Sequence, residues 1–126
     1  MPQVMTKPRV VHFDLGSENP SRAADFYSNV FGWQFRKWEG PMDYWMIKTG
    51  EQGEPGIDGG LSQEAPGCTT VTIGVDSIDA YTTKVLEAGG KLKMAKMPIK
   101  GVGWFAQFED TEGNTLGLMQ MDESAG

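Results

Sequence analysis

The sequence predicts an α+β fold built from two βαβββ modules. Three observations support this prediction. The order strand, helix, strand, strand, strand occurs twice along the 126 residues. The two halves also resemble each other residue by residue, which indicates an internal duplication. Finally, the breaker Ala65-Pro66-Gly67 lies close to the middle of the chain, between the two halves.

The first half begins with an alternating strand at about 9–15, which is followed by an amphipathic helix at about 20–31. Asn19-Pro20 is a helix start, because asparagine caps the free N–H groups and proline needs no helical N–H. Gly32 can adopt the left-handed conformation that ends a helix. Further strands are predicted at 33–38, 44–48 and 57–63.

The second half has the same plan. A strand at 70–75 precedes a helix at 76–89, which Asp76 or Ser77 can cap and which Gly89-Gly90 ends. Three more strands follow, with a hairpin turn before the last one. These strands are predicted at 91–96, 103–109 and 114–120, and the hairpin turn is predicted at 110–113.

The residue-level repeat aligns the outer strands of the two halves. VVHFDLG aligns with CTTVTIGV, which places His12 opposite Thr70. IDGGLSQ aligns with NTLGLMQ, which places Gly60 opposite Gly117. We therefore expect a single domain, 8–121, made of two similar modules at about 8–63 and 68–121.

Composition excludes several classes of function. The net charge is −6 and no lysine or arginine cluster occurs, so neither nucleic acid nor an anionic membrane is the expected partner. The lone cysteine, Cys68, excludes an internal disulfide and a multi-cysteine zinc site. No stretch resembles a signal peptide or reaches the length of a membrane span. We expect a cytoplasmic protein whose partner is a small-molecule ligand.

The first strand carries the only histidine of the chain. Because strand side chains alternate, His12 and Asp14 share one face, and Val11, Phe13 and Leu15 share the other. His12 is a candidate general base or hydrogen-bond partner of a substrate. The alternative is a half-buried histidine that lines a wall. Asp14 and Asp43 are candidates to orient the imidazole.

Two stretches resemble the vicinal oxygen chelate superfamily, which includes glyoxalase I, bleomycin-resistance proteins and extradiol dioxygenases. They are RAADFYSNVFGW after the first strand and EDTEGNTLGLMQ near the end, and the duplicated pattern matches as well. The resemblance covers roughly 8–121. It implies curved mixed sheets around a cleft, helices on the outside, and a homodimer that completes the cleft.

The resemblance also implies four metal-ligand positions on the cleft face. They fall on His12, Thr70, Gly60 and Gly117, so only one of the four carries a side chain typical of a metal ligand. We therefore expect no metal and no other cofactor, and His12 is the ligand if a metal binds at all. The alternative is a divalent metal held through a substitute ligand such as Asp14.

The two glycines predict an open cleft floor, since a position without a side chain leaves room for a ligand. The alternative is that they are bulges or tight packing points. On the strand at 103–109, Phe105 or Gln107 is expected to face the cleft, and Met119 shares the face of Gly117. The predicted catalytic residue is His12, and the predicted substrate-binding residues are Asp14, Gly60, Thr70, Phe105, Gln107, Gly117 and Met119.

Three functions are compatible with this pattern. The first is a metal-independent protein that binds or transforms a small organic molecule in the cleft. The second is a metal-dependent lyase or dioxygenase with a non-standard ligand shell that includes His12. The third is a non-catalytic protein that sequesters a small molecule, as bleomycin-resistance proteins do.

Overall fold

The computed structural model describes residues 7–40, 43–63 and 69–126. These residues form two helices and eight strands, in the order strand, helix, strand, strand, strand, repeated once. The elements are β1 (Arg9–Ser17), α1 (Pro20–Phe31), β2 (Gln34–Lys37), β3 (Tyr44–Lys48), β4 (Gly59–Gln63), β5 (Thr70–Gly74), α2 (Ile78–Glu87), β6 (Lys91–Ile99), β7 (Gly103–Glu109) and β8 (Thr115–Met121). The predicted α+β fold with its duplicated order is confirmed.

The chain divides into two compact units. The first unit is His12–Thr70, and the second consists of Val71–Gly126 with the start of β1. In the first unit the strands lie in the order β2-β3-β4-β1. β4 runs parallel to β1 and antiparallel to β3, with Asp14 and Met46 as the two neighbours of Gly60 across the strands.

α1 begins and ends as its sequence predicts. The side chain of Asn19 accepts a hydrogen bond from the backbone N–H of Arg22 at 3.1 Å, and Gly32 ends the helix with φ of 74°. The helix packs on the sheet through aromatic rings rather than through buried aliphatic residues. Tyr27 stacks on Trp33 at 5.3 Å, and Phe13 lies 5.9 Å from the same indole.

The second unit has the strand order β5-β8-β7-β6. Thr72 and Gln107 are the neighbours of Gly117 across the strands, so the register around this glycine matches the register around Gly60. Ser77, and not Asp76, caps α2 by accepting from the backbone N–H of Ala80 at 3.2 Å. The core of this unit is apolar and includes Val75, Ile78, Ala106, Phe108 and Leu118.

Some predicted boundaries were wrong by a few residues. β1 extends to Ser17. β4 begins at Gly59 rather than at 57, because Ile57 belongs to the preceding loop, where its carbonyl accepts a hydrogen bond from Thr49 at 2.7 Å. β6 continues to Ile99, with shifts in its register against β7. The breaker at 65–67 and Cys68 lie outside the described residues.

No helix in the described parts of the chain is long and apolar enough to cross a membrane. The limits of the single domain and of its two modules, as drawn from the sequence, stay predictions.

Candidate functional site

Three polar side chains of the first unit meet on one face of its sheet, and we call them the His12–Asp14–Tyr44 cluster. The Tyr44 hydroxyl donates to Oδ1 of Asp14 at 2.6 Å. Nε2 of His12 lies 2.8 Å from the same hydroxyl and 3.3 Å from Oδ1 of Asp14. The alternation of β1 places Phe13 on the opposite face, against Trp33. The predicted pairing of His12 with Asp14 is therefore found, and Tyr44 joins it from β3.

Gly60 makes this meeting possible. A Cβ atom built on Gly60 would overlap the hydroxyl and the ring of Tyr44. Because β4 lies between β3 and β1, any side chain at this position would stop the Tyr44 ring from reaching β1. The predicted open floor over Gly60 is wrong, since an aromatic ring fills the space. The alternative interpretation, a tight packing point, is correct.

The environment of Tyr44 keeps its hydroxyl protonated. Burial is the largest cause, and the charge of Asp14 and its hydrogen bond add to it, so the pKa of Tyr44 lies well above its ordinary value. The side chains of His12 and Asp14 are 34% and 25% exposed. The cluster is therefore reachable from solvent at its histidine end.

The neighbours of Tyr44 give the site an aromatic wall. The Trp38 indole and the Tyr44 ring are nearly perpendicular, with 6.1 Å between their centroids. The backbone N–H of Trp38 donates to the Tyr44 carbonyl at 2.8 Å, which fixes the start of the β2–β3 connection. Asp43, the other predicted partner of His12, instead forms an exposed ion pair with Lys37 at 3.2 Å. That part of the prediction is wrong.

The second unit carries the equivalent positions on one face of its own sheet. Phe105 pairs with Met119 and Gln107 pairs with Gly117, so these four predicted residues share a face, together with Thr72. The Phe105 ring lies over Gly117, and a Cβ there would come within 2.8 Å of both Phe105 and the Thr72 hydroxyl. The space over this glycine is also filled. Thr70, the last residue of the first unit, is half-buried at the start of β5, two residues before Thr72.

A cavity of about 230 Å³ lies elsewhere in the first unit, where β1 runs into α1. Its walls include Leu15, Ser17, Arg22 and Tyr27, and no residue of the His12–Asp14–Tyr44 cluster lines it. The cavity and the cluster are therefore separate features of this unit.

The donor set does not fit the four-ligand metal site that the sequence resemblance implies. Gly60 and Gly117 have no side-chain donor atoms, and the space above Gly60 is taken by a tyrosine that keeps its proton. Within residues 7–40, 43–63 and 69–126, no three His, Cys, Asp or Glu side chains come close enough together to hold a metal. Only His12 and Asp14 have ligand chemistry at the cluster.

Sequence reasoning missed Tyr44 as a site residue. Strand alternation shows that Tyr44 and Met46 share a face, but it does not show which strand lies beside β3. The signal was the glycine at position 60, because a residue without a side chain inside a strand often marks the close approach of another group. The roles predicted for His12 and the substrate-binding residues stay predictions.

Comparisons with known proteins agree with this architecture. The family model described as the Glyoxalase/Bleomycin resistance protein/Dioxygenase superfamily matches residues 9–118. The anthracycline biosynthesis protein DnrV of Streptomyces peucetius is 30% identical over an alignment of 135 residues. The match covers 90% of this chain and 49% of DnrV. DauV of Streptomyces sp. (strain C5), also an anthracycline biosynthesis protein, is 29% identical with the same coverage. The chain thus spans about half the length of these curated relatives.

Solved structures show the same fold at lower identity. A protein from Bacillus halodurans C-125 has a TM-score of 0.74 at 16% identity, covering 96% of this chain and 99% of the other. A methylmalonyl-CoA epimerase of Streptomyces coelicolor has a TM-score of 0.68 at 14% identity, covering 94% and 97%. Because the family model matches most of the chain, this protein belongs to the Glyoxalase/Bleomycin resistance protein/Dioxygenase superfamily.

Proposed function

We propose that this protein binds a small organic molecule, without a metal, at the face that carries the His12–Asp14–Tyr44 cluster. The observation that carries the proposal is the mutual hydrogen bonding of these three side chains above Gly60. Polar groups that converge beside aromatic rings are typical of small-molecule sites, where the polar groups orient the ligand. Trp38 supplies an apolar surface next to them.

The cluster resembles a binding site more than a structural contact because it is fixed and yet reachable. Tyr44 is held from two sides, by Asp14 at 2.6 Å and by His12 at 2.8 Å. A purely structural cluster would be expected deep in a core, whereas a third of the His12 side chain is exposed. A polar group that is already held in place loses little further conformational freedom when a ligand binds to it.

The relatives support an organic ligand. DnrV and DauV are named for the biosynthesis of anthracyclines, which are small organic molecules. Either of two activities can follow binding. In one, His12 accepts a proton from the ligand as a general base. In the other, the ligand is sequestered unchanged, as in a resistance-type protein.

A metal-dependent lyase or dioxygenase is the second candidate. The observation that favours it is the 3.3 Å separation of His12 Nε2 from Asp14 Oδ1, which would allow both to contact one cation. It requires Tyr44 to leave the cluster, since the hydroxyl is bonded to both groups. For this reason we propose no step that involves a metal.

A ligand screen tests the proposal. Thermal unfolding of the wild-type protein is measured with small organic acids, ketones and phenols at millimolar concentration, and the mixtures are analysed for new products. A ligand that binds only the folded state raises the melting temperature. We expect a shift for at least one class of compound that His12→Ala reduces and Arg9→Ala does not, since Arg9 is an exposed residue on the same strand.

The same screen, repeated after treatment with a chelator, separates the two candidates. The proposed function requires equal shifts before and after chelation. Shifts that vanish with the chelator and return with Mn²⁺ or Zn²⁺ would instead support the metal-dependent candidate. The absence of any shift across the panel would contradict the proposal itself.

We also propose that the protein is a cytoplasmic homodimer. Three apolar side chains of α1 support the dimer, because Phe26, Val30 and Phe31 are between 55% and 59% exposed. Neighbouring exposed apolar residues of this size are common at protein interfaces. Light scattering at micromolar concentration is expected to give twice the chain mass, and Phe31→Glu is expected to lower it. A monomer mass for the wild type would contradict the dimer.

A further inference from the structure

The positions of the protons within the His12–Asp14–Tyr44 cluster follow from its distances. The 2.6 Å contact between Tyr44 and Asp14 needs a proton, and an ionised carboxylate can only accept one. Tyr44 has a single hydroxyl proton and keeps it. That proton therefore lies between Tyr44 and Asp14.

The second contact then needs a proton from the histidine. With its own proton directed at Asp14, the Tyr44 oxygen can only accept from His12 Nε2 at 2.8 Å. Oδ1 of Asp14, 3.3 Å away, is a second acceptor for the same N–H. Both neighbours of Nε2 thus require this nitrogen to carry the proton. A neutral imidazole protonated at Nε2 has its lone pair at Nδ1.

We propose that Tyr44 is a positioning residue that holds His12 in the tautomer protonated at Nε2 and so presents Nδ1 as the acceptor for the ligand. Both hydrogen bonds between the His12 ring and the described residues use Nε2, and none of them uses Nδ1. The inference rests on the proposed function for the existence of a ligand, and it defines the class of that ligand. The ligand presents a hydrogen-bond donor or an acidic proton, such as that of a phenol, an enol or a carbon next to a carbonyl.

Asp14 completes this arrangement electrostatically. When a ligand donates its proton to Nδ1, positive charge develops on the imidazole and an equal negative charge remains on the ligand. The Asp14 carboxylate, 3.3 Å from Nε2, offsets the positive charge on the ring. The Nε2–H bond to Tyr44 is kept throughout, so the ring does not have to turn during the transfer.

The tautomer can be read directly, because the chain has one histidine. ¹⁵N NMR of the full chain with labelled histidine is recorded in alkaline buffer, where an imidazole is neutral. We expect a proton-bearing Nε2 and a bare Nδ1 in the wild type and in Tyr27→Phe, whose hydroxyl lies outside the cluster. In Tyr44→Phe only the longer contact to Asp14, at 3.3 Å, is left to hold the Nε2 proton, so we expect part of the proton population to move to Nδ1. A proton-bearing Nδ1 in the wild type, or identical spectra for wild type and Tyr44→Phe, would overturn the inference.

Alkylation tests whether Nδ1 is also reachable. Iodoacetamide adds its methylene carbon to the nitrogen that has the lone pair, iodide leaves, and the surplus proton passes to buffer. Trypsin releases His12 in the peptide 10–22, which contains no cysteine or methionine to compete for the label. The two products are separated against synthetic standards of each isomer.

We expect the wild-type label at Nδ1, and a several-fold fall in the ratio of Nδ1 to Nε2 product in Tyr44→Phe. A label at Nε2 in the wild type would contradict the assigned tautomer, and no label at all would contradict access to Nδ1. Both measurements use the protein without a ligand. Failure of the ligand screen would therefore count against the proposed function alone, whereas failure here would count against the role of Tyr44.

Discussion

The two units place a glycine at the same register position, and each unit packs a different aromatic side chain over it. In the first unit Gly60 lies under Tyr44, whose hydroxyl is bonded to His12 and Asp14. In the second unit Gly117 lies under Phe105, which has no hydroxyl, and beside buried Thr72. Both aromatic rings stand two residues before the strand neighbour of the glycine. A duplicated scaffold has therefore kept its packing in both units and concentrated its polar chemistry in one.

The helices differ in a related way. α2 lies on an apolar core in which Ile78 is completely buried. α1 has no buried residue and contacts its sheet through the Tyr27–Trp33 stack. Side chains that a single unit leaves uncovered are available for another surface. The unit with the polar cluster is thus also the one with the exposed apolar helix.

Alanine at the two glycines should give the largest effect and separate packing from polar chemistry. Gly60→Ala displaces Tyr44 and breaks its two hydrogen bonds, so we expect a loss of about 3 kcal/mol in the free energy of unfolding. Gly117→Ala only shifts Phe105 or Thr72, and we expect about 1.5 kcal/mol. Urea denaturation measures both values. Equal losses would show that the hydrogen bonds over Gly60 add nothing to stability.

Removal of the Tyr44 hydroxyl tests the cluster without disturbing its packing. Tyr44→Phe keeps the ring over Gly60, as Phe105 does over Gly117, but it leaves Asp14 and His12 without their shared partner. We expect the free energy of unfolding to fall by about 1.5 kcal/mol. Tyr27→Phe, the control in the same unit, should stay within about 0.5 kcal/mol of the wild type. Equal results for the two variants would contradict the contribution of the cluster.

Alkaline pH should affect the first unit through Tyr44. Its pKa is raised in the folded protein, so above pH 10.0 the unfolded chain releases a proton that the folded chain keeps. The unfolded state then binds fewer protons, and the stability of the wild type falls as the pH rises through this range. Tyr44→Phe lacks this contribution, so its melting temperature should fall less steeply than that of the wild type as the pH rises above 10.0. If the melting temperatures of the two proteins fall equally with pH, Tyr44 ionises as readily in the folded protein as in the unfolded chain.

The smallest effect is expected at the β7–β8 turn of the second unit. Asp110 accepts hydrogen bonds from the side chain and backbone of Asn114 and from the backbone of Glu112, which together lower its pKa below 3.8. Its contribution is present above that pH and is lost as the pH falls further, toward the folded pKa. The melting temperature of Asp110→Asn should therefore fall less steeply than that of the wild type as the pH is lowered through this range. Glu123→Gln, an exposed carboxyl in the C-terminal tail, serves as the control.

Much of the fold could be predicted from local signals. The bounds of α1 follow from Asn19-Pro20 and Gly32, and those of β3 and β7 follow from short runs that are rich in aromatic residues. The repeat that aligns Gly60 with Gly117 also predicted the equivalent register of the two units. The face shared by His12 and Asp14 needed only the two-residue period of a strand. The prediction of an open cleft floor over the glycines was wrong, because strand alternation does not show which neighbouring side chain packs over a glycine.

The sequence by itself determined the duplicated βαβββ order, the ends of α1 and the strand face that His12 shares with Asp14, because each depends on residues that are near one another in the chain. Only the tertiary structure decided that Tyr44, thirty residues after Asp14, completes the cluster. It does so because β4 inserts between β3 and β1 and presents a glycine at the crossing point. Strand order and register depend on long-range pairing, and no local pattern specifies them.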